Sequence, residues 1–218
     1  MKKNNLLLSR LTSNRGQGTL FTLIFMVVLV CLLLLQLRYC APTPPTPVKP
    51  VEKVLTEAEK ALLAKLGKFM PVKLPNGVEL KVPEFGVERK LIAFIEDKSK
   101  PVDKTTWFTF DRLDFETGSA TLKPTSAEQL KNIVEIMKAY PKVALKIGGY
   151  TDNVGKPADN LKLSQKRAEN TMAELVKLGT DAKRLAAEGY GEKYPVADNA
   201  TEEGKAKNRR IDLRVTKK

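Results

Sequence analysis

The chain contains no histidine. This absence excludes the Ser-His-Asp triad, the commonest general base and most zinc sites. Its only two cysteines, Cys31 and Cys40, lie in or beside a hydrophobic N-terminal stretch, so the rest of the chain has neither disulfides nor thiol chemistry. An enzyme would then need paired carboxylates, for which Asp114 with Glu116 is a weak candidate. We therefore expect no catalytic residues, no metal site and no cofactor.

Acidic residues are outnumbered, with 25 Asp and Glu against 38 Lys and Arg and a net charge of +13. Residues 105–218 hold 21 basic and 16 acidic side chains, a surplus of only five. The lysines there are interspersed with acids, which is typical of a solvated mixed-charge surface. The chain also lacks a concentrated basic helix and aromatic stacking platforms. We therefore do not expect a nucleic-acid partner.

Long apolar runs are confined to one place, Thr19 to Leu37, where nineteen residues carry no charge. This length matches the hydrocarbon core of a bilayer, about 30 Å thick. Four basic residues precede the run and only Arg38 follows it closely. The positive-inside rule then predicts a cytoplasmic tail at residues 1–18, a membrane anchor at 19–37 and a C-terminal part outside the cytoplasm. We expect a single-pass membrane protein.

Two alternatives to an uncleaved anchor stay open. A cleaved signal peptide has a shorter apolar core and small residues at the cut. A lipoprotein would be lipidated at Cys40 and could lie in the outer membrane. Tyr39 occupies the position where both processing signals need a small residue, so we favour the uncleaved helix.

Residues 41–53 form a proline-rich linker, which favours an extended spacer. Residues 54–104 predict a small α/β module that packs against the C-terminal part of the chain. A capping box at Thr56 begins a helix that Gly67 ends, Asn76-Gly77 predicts a hairpin turn, and residues 84–97 predict a second helix. The sequence does not state the role of this module, and protein partners are possible.

Residues 105–218 alternate strands and helices. Strands are predicted at 107–110, 143–150, 184–188 and 209–215, with helices after Pro124, at 162–178 and near 202–207. A second capping box, Thr125 to Glu128, is expected to begin the first helix. The pattern predicts an α+β domain with a mixed sheet and helices packed on it.

Several motifs in this domain resemble the C-terminal family of OmpA and MotB. GGYTDNVG and the later NLKLSQKRA match the family forms G-H-T-D-x-x-G and N-x-x-L-S-x-x-R-A. The stretch from Gly189 to Val215 resembles its closing G-x-G, D-N-x-T and N-R-R elements, and LDFE at 113–116 resembles its first-strand motif. Tyr150 and Glu116 depart from the common histidine and aspartate. The resemblance implies an OmpA-like β-α-β-α-β-β domain, preceded here by one transmembrane helix and the small α/β module.

The resemblance also implies recognition of the diaminopimelate residue in peptidoglycan stem peptides. The free end of that residue carries an ammonium and a carboxylate on one carbon. Asp152 can accept hydrogen bonds from the ammonium, and the guanidinium of Arg167 can donate two parallel hydrogen bonds to the carboxylate. The expected contacts around this pair come from residues in the same motifs, namely Thr151, Asn160, Leu163, Phe115, Glu116, Asn208 and Arg210. The run Asn208-Arg209-Arg210 could either orient the site or brace the sheet.

The resemblance therefore implies a single-pass protein of the bacterial inner membrane whose periplasmic C-terminal domain tethers the membrane to the cell wall without covalent bonds. The alternative is an envelope lipoprotein or a subunit of a larger complex, stator-like or secretion-associated, that uses the same domain for wall anchoring. Proton conduction by a stator needs an ionisable group within the bilayer, and Thr19 to Leu37 contains none.

Overall fold

The computed structural model describes residues 57–218. The predicted tail (1–18), membrane helix (19–37) and linker (41–53) lie outside the described residues. Within the described range, every helix is too short or too polar to cross a membrane. The described residues, 57–218, belong to one compact unit.

The described chain contains five α-helices, six strands and two short 3-10 turns. The elements are α1 (Glu57–Leu66), β1 (Phe69–Lys73), β2 (Glu79–Pro83), α2 (Val87–Glu96), β3 (Phe108–Thr109), a 3-10 turn (Pro124–Ser126), α3 (Ala127–Ala139), β4 (Ala144–Gly149), α4 (Pro157–Lys177), a 3-10 turn (Ala182–Arg184), β5 (Leu185–Gly189), α5 (Glu202–Asn208) and β6 (Ile211–Lys217).

The predicted hairpin is present as the antiparallel pair β1–β2. Gly77 has a φ of +86° in the turn, the left-handed conformation that glycine adopts without steric cost. Helix α2 begins at Val87 instead of residue 84, because Gly86 is still extended and the Val87 amide donates to Asp111 Oδ2 at 2.7 Å. A carboxylate 24 residues away in sequence therefore caps this helix.

The C-terminal domain is built on a four-stranded mixed sheet in the order β3-β6-β4-β5. Strands β4 and β5 run parallel, and β6 is antiparallel to both β4 and β3. Helix α4 packs on β4 and β5, and α3 packs on α4 and α2. The sheet confirms the predicted α+β class. The largest apolar side chains that are fully buried are Leu91, Leu130, Ile133, Ile136, Met137, Leu145, Ile147, Leu175 and Leu213.

Three further predictions about secondary structure were wrong. No capping box forms at Thr125, because a 3-10 turn precedes α3 and the Ser126 hydroxyl instead bonds to the amide and carbonyl of Asp114. Helix α4 begins at Pro157, five residues before the predicted Lys162, since proline at the first helical position needs no amide partner. The motif near Phe115 forms only an isolated antiparallel bridge to Leu122.

Two glycines allow α4 to lie close to the sheet. A Cβ atom on Gly149 would lie 2.2 Å from the Ser164 carbonyl oxygen, and one on Gly189 would lie 2.3 Å from the Gln165 amide nitrogen. Backbone cannot move away from such contacts without shifting the helix. The glycines at the ends of β4 and β5 therefore fix the distance between the loop after β4 and the side chains of α4.

Candidate functional site

The candidate site lies where the loop after β4, the first turns of α4, the start of β6 and the turn at residues 115–122 meet. The Tyr150 amide donates to the Arg210 carbonyl at 3.0 Å, and the Thr151 amide donates to the Gly191 carbonyl at 2.9 Å. These bonds continue the sheet beyond its last ladder pair. They hold the loop that carries Asp152 in one position.

Asp152 is buried and has a defined orientation. Its Oδ1 accepts a hydrogen bond from the Val154 amide at 3.1 Å, closing a local turn. Its Oδ2 accepts from Arg209 Nη1 at 2.6 Å, as part of an ion pair. Asp152 is 7% exposed, so a charged ligand that binds to it loses most of its hydration. The interaction with this carboxylate must offset the free-energy cost of that loss.

Arg167 approaches the same place from α4 and is 8% exposed. Its Nε donates to the Ser119 carbonyl at 2.9 Å, and its guanidinium lies 5.1 Å from the centre of the Phe115 ring. Burial lowers the pKa of Arg167, the nearby Arg209 lowers it further, and Asp152 opposes both. Among residues 57–218 no side chain or carbonyl accepts a hydrogen bond from the two terminal nitrogens of Arg167. These two nitrogens are therefore available to donate to an acidic ligand.

Asn160 braces the loop from the first turn of α4. Its Nδ2 donates to the carbonyls of Asp152 and Val154 and, at 2.7 Å, to Glu192 Oε2. All of its contacts are therefore to the protein, which makes it a positioning residue. Leu163 is half-buried on the same helix. The hydroxyl of Thr151 is buried without a hydrogen-bond partner in the described chain.

Phe115 and Glu116 occupy different positions. Phe115 is half-buried beneath the Arg167 guanidinium, where a ring face attracts a cation and limits the orientation of the fork. Glu116 is exposed, and its backbone closes a turn with Ser119 and Thr121. The structure therefore brings Phe115 to the Asp152–Arg167 pair and leaves the Glu116 side chain in solvent.

The three residues of the Asn-Arg-Arg run have separate roles. Asn208 is fully buried, and its amide bonds to the backbone of Val196 and Ala197 and to Asn199, so it braces a loop. Arg210 pairs with Asp212 and stacks on Tyr150, away from Asp152. Arg209, which the predicted site leaves out, is the residue that contacts Asp152. The Asn-Arg-Arg motif predicted that this segment lies near the site, but the sequence could not show which arginine contacts Asp152.

The arrangement pairs one buried acid with two cations, one of them with free donors. It suits a ligand that carries an anion and a cation close together. Among residues 57–218 no group of acids or cysteines is placed to hold a metal ion.

The OmpA family matches residues 114–209. This range contains Asp152, Arg167 and Arg209, together with the loop and helix that hold them. Residues 114–209 belong to the OmpA family. This membership confirms the resemblance seen in the motifs.

Two curated relatives and one solved structure illustrate the likeness. The chain is 41% identical over 106 residues to the probable lipoprotein YiaD of Escherichia coli, covering 49% of this chain and 48% of the relative. It is 40% identical over 101 residues to the peptidoglycan-binding protein ArfA of Mycobacterium tuberculosis, covering 46% and 31%. The peptidoglycan-associated lipoprotein of Burkholderia pseudomallei is 32% identical, with a TM-score of 0.46 over 48% of this chain and 88% of that one. The chain thus spans half or less of these two curated relatives.

Proposed function

We propose that the OmpA-family domain binds the diaminopimelate residue of peptidoglycan stem peptides without covalent chemistry. The observation that carries the proposal is the meeting of Asp152 and Arg167, both buried, at one site with free guanidinium donors. The name of the relative ArfA, a peptidoglycan-binding protein, supports the same polymer as ligand.

The proposed contacts follow from charge. The ligand ammonium lies against Asp152, and the ligand carboxylate accepts from the terminal nitrogens of Arg167. Arg209 stays near Asp152 and shares in holding the carboxylate. Each charged hydrogen bond contributes about 1.5–3 kcal/mol. A few such bonds give modest affinity at one site, so anchoring near a polymer with many stem peptides raises the effective concentration.

Co-sedimentation with purified sacculi tests the proposal. The full chain, solubilised in detergent, should pellet with diaminopimelate-type wall, whereas Asp152→Asn and Arg167→Ala should remain in solution. Asp159→Asn and Lys166→Ala remove the same charges from exposed positions on α4 and should pellet like the unaltered chain. If the two site variants pellet as well as their controls, the assigned site is wrong.

We also propose that residues 19–37 anchor the chain in the inner membrane and that residues 41–53 space the domain from the lipid. The domain then faces the wall from the periplasm. In a Cys31→Ser background, Cys40 should react with a membrane-impermeant thiol reagent added from the periplasmic side. A lipid-modified Cys40, detected by mass, would replace this topology with the lipoprotein alternative.

We propose that the chain has no catalytic activity, since binding alone accounts for the site. Prolonged incubation with sacculi should release no soluble muropeptides. Release that persists after purification and is lost in Asp114→Asn would contradict this. We further propose that residues 54–104 serve protein partners.

A further inference from the structure

A cavity lies on the face of the sheet that points away from the helices. Strand β6 alternates buried Leu213 and Val215, which face the helices, with Asp212 and Arg214, which point the opposite way. On that outer face a cavity of about 590 Å³ is lined chiefly by Trp107, Tyr150, Tyr190, Tyr194, Arg210 and Arg214. We call it the outer-face cavity. Its volume falls in the range of small-molecule sites, about 300–1,000 Å³.

The aromatic walls depend on a glycine. A Cβ atom on Gly148 would lie 2.9 Å from the Trp107 ring and 3.1 Å from the Tyr150 hydroxyl. Without that atom, Trp107 packs edge-on against Tyr150 and Tyr190, and the two tyrosines stack with centroids 5.1 Å apart. Tyr194 continues the wall and is 48% exposed. The cavity therefore has an aromatic wall, of which Tyr194 is the most exposed ring.

The polar atoms of the cavity offer both donors and an acceptor. Arg210 and Asp212 form an ion pair at 3.0 Å, with side chains 8% and 5% exposed. Arg210 Nη1, Asp212 Oδ1 and Arg214 Nε are buried and have no hydrogen-bond partner in the described chain. Orphaned buried groups of this kind are costly unless a ligand or water satisfies them. They have almost no accessible surface, so a ligand reaches them only if the side chains rotate.

This combination identifies the ligand class. Among the charged groups that line the cavity, Asp212 offers acceptors and Lys104, Arg210 and Arg214 offer donors, so a ligand that uses both kinds needs donors and acceptors of its own. A sugar hydroxyl donates to a carboxylate and accepts from a guanidinium at the same time. The apolar face of a pyranose ring also packs on an aromatic side chain. We infer that the outer-face cavity is a saccharide-binding site.

We take the glycan strand of peptidoglycan as the source of the saccharide. This choice rests on the proposed function, because the polymer that presents the stem peptide also has a glycan strand of N-acetylated amino sugars. The cavity shares no lining residue with the Asp152 site, so neither site needs the other to be filled. The alternative source is an unrelated envelope polysaccharide, which has the same ring chemistry.

Trp107 is the only tryptophan in the chain, so its fluorescence reports this cavity alone. The full chain, in a detergent without a sugar headgroup, is titrated with peptide-free glycan strands prepared by amidase digestion. We expect a saturable change in Trp107 emission. Tyr194→Ala and Arg214→Gln should raise the midpoint at least about tenfold, the equivalent of about 1.4 kcal/mol. Lys131→Gln, which removes an exposed cation from α3, should leave the midpoint unchanged.

Further titrations separate the sources and the two sites. If maltooligosaccharide gives the response at a lower concentration than glycan strands, the cavity is a saccharide site but its ligand is a polysaccharide other than the wall glycan. Arg167→Ala, which should lose most of its sedimentation with sacculi, should keep the wild-type fluorescence response, so the two proposals fail independently. Any pelleting that remains in Arg167→Ala should disappear when Tyr194→Ala is added. The inference is overturned if no saccharide gives a saturable response, if Arg214→Gln responds like Lys131→Gln, or if inorganic phosphate produces the same change at the same concentration.

Discussion

Arg209 Nη1 donates a hydrogen bond to Asp152 Oδ2 at 2.6 Å, so the acid proposed to bind an ammonium already has a cationic partner. Asp152 is almost completely covered, whereas the Arg209 side chain is 42% exposed. The ion pair therefore joins a fixed anion to a cation that has room to move. A ligand ammonium must share Asp152 with Arg209 or displace it.

The first prediction concerns ligand discrimination by Arg209. Two soluble stem tripeptides serve as ligands, one with meso-diaminopimelate and one with lysine, whose side chain ends in an ammonium without the carboxylate. In Arg209→Gln the lysine peptide should bind more tightly and the diaminopimelate peptide more weakly, each by up to about fivefold, because a partly exposed pair contributes up to about 1 kcal/mol. Calorimetric titration measures both affinities. Lys207→Gln is the control, and an unchanged ratio would contradict the role of Arg209.

The second prediction concerns the brace formed by Asn160. Asn160→Asp replaces an amide that donates to two carbonyls and to Glu192 with a carboxylate that none of them can pair with. We expect the free energy of unfolding to fall by about 1–3 kcal/mol and wall binding to fall with it. Thermal unfolding and sedimentation measure the two effects. Asp159→Asn, its exposed neighbour, should change neither; wild-type stability in Asn160→Asp would show that the brace is unimportant.

The third prediction is a pH dependence that arises at Glu88. This side chain is fully buried between α2 and α3, ion-paired with Arg112 and hydrogen-bonded to Asn132. Burial raises the pKa of Glu88 above its ordinary value of 4.5, with Asp111 adding to the rise and Arg112 and Asn132 opposing it. The folded state therefore holds this proton more tightly than the unfolded state. Its contribution to stability is complete below about pH 4.5 and is lost as pH rises through the raised pKa.

Glu88→Gln should remove that dependence, so the stability of the unaltered chain should fall relative to the variant as the pH rises above about 4.5. Urea unfolding at several pH values, followed by Trp107 fluorescence, measures the difference. Glu128→Gln removes the exposed partner of the same Arg112 and should keep the original profile. If the free energy of unfolding of Glu88→Gln and of the unaltered chain changes with pH in parallel, a group other than Glu88 causes the pH dependence.

The sequence predicted the fold class and the central pair, and the reasons are local. Asp152 follows the last residues of β4, and Arg167 lies on the helix that must return across the sheet. Spacing within one strand-loop-helix unit therefore brings them together. The strand at β6 and the turn at Gly77 are equally local, and both were predicted from short patterns.

What the sequence could not predict depends on contacts between distant segments. Asp111 caps α2, and Asp114 binds the Ser126 hydroxyl in place of a capping box, across 24 and 12 residues. The carbonyl that orients Arg167 belongs to Ser119, 48 residues earlier. Arg209 and Arg210 are chemically identical neighbours, so only the packed structure shows that the first faces Asp152 and the second faces Tyr150.

The central claim is that the Asp152–Arg167 site reads both charges of one zwitterionic carbon. Titration of the unaltered chain with the two tripeptides tests it most directly, because they differ at that carbon by the carboxylate alone. Loss of a charged hydrogen bond costs about 1.5–3 kcal/mol, so the diaminopimelate peptide should bind at least about tenfold more tightly, and Arg167→Ala should remove most of the preference. Equal affinity of the unaltered chain for both peptides would contradict the account.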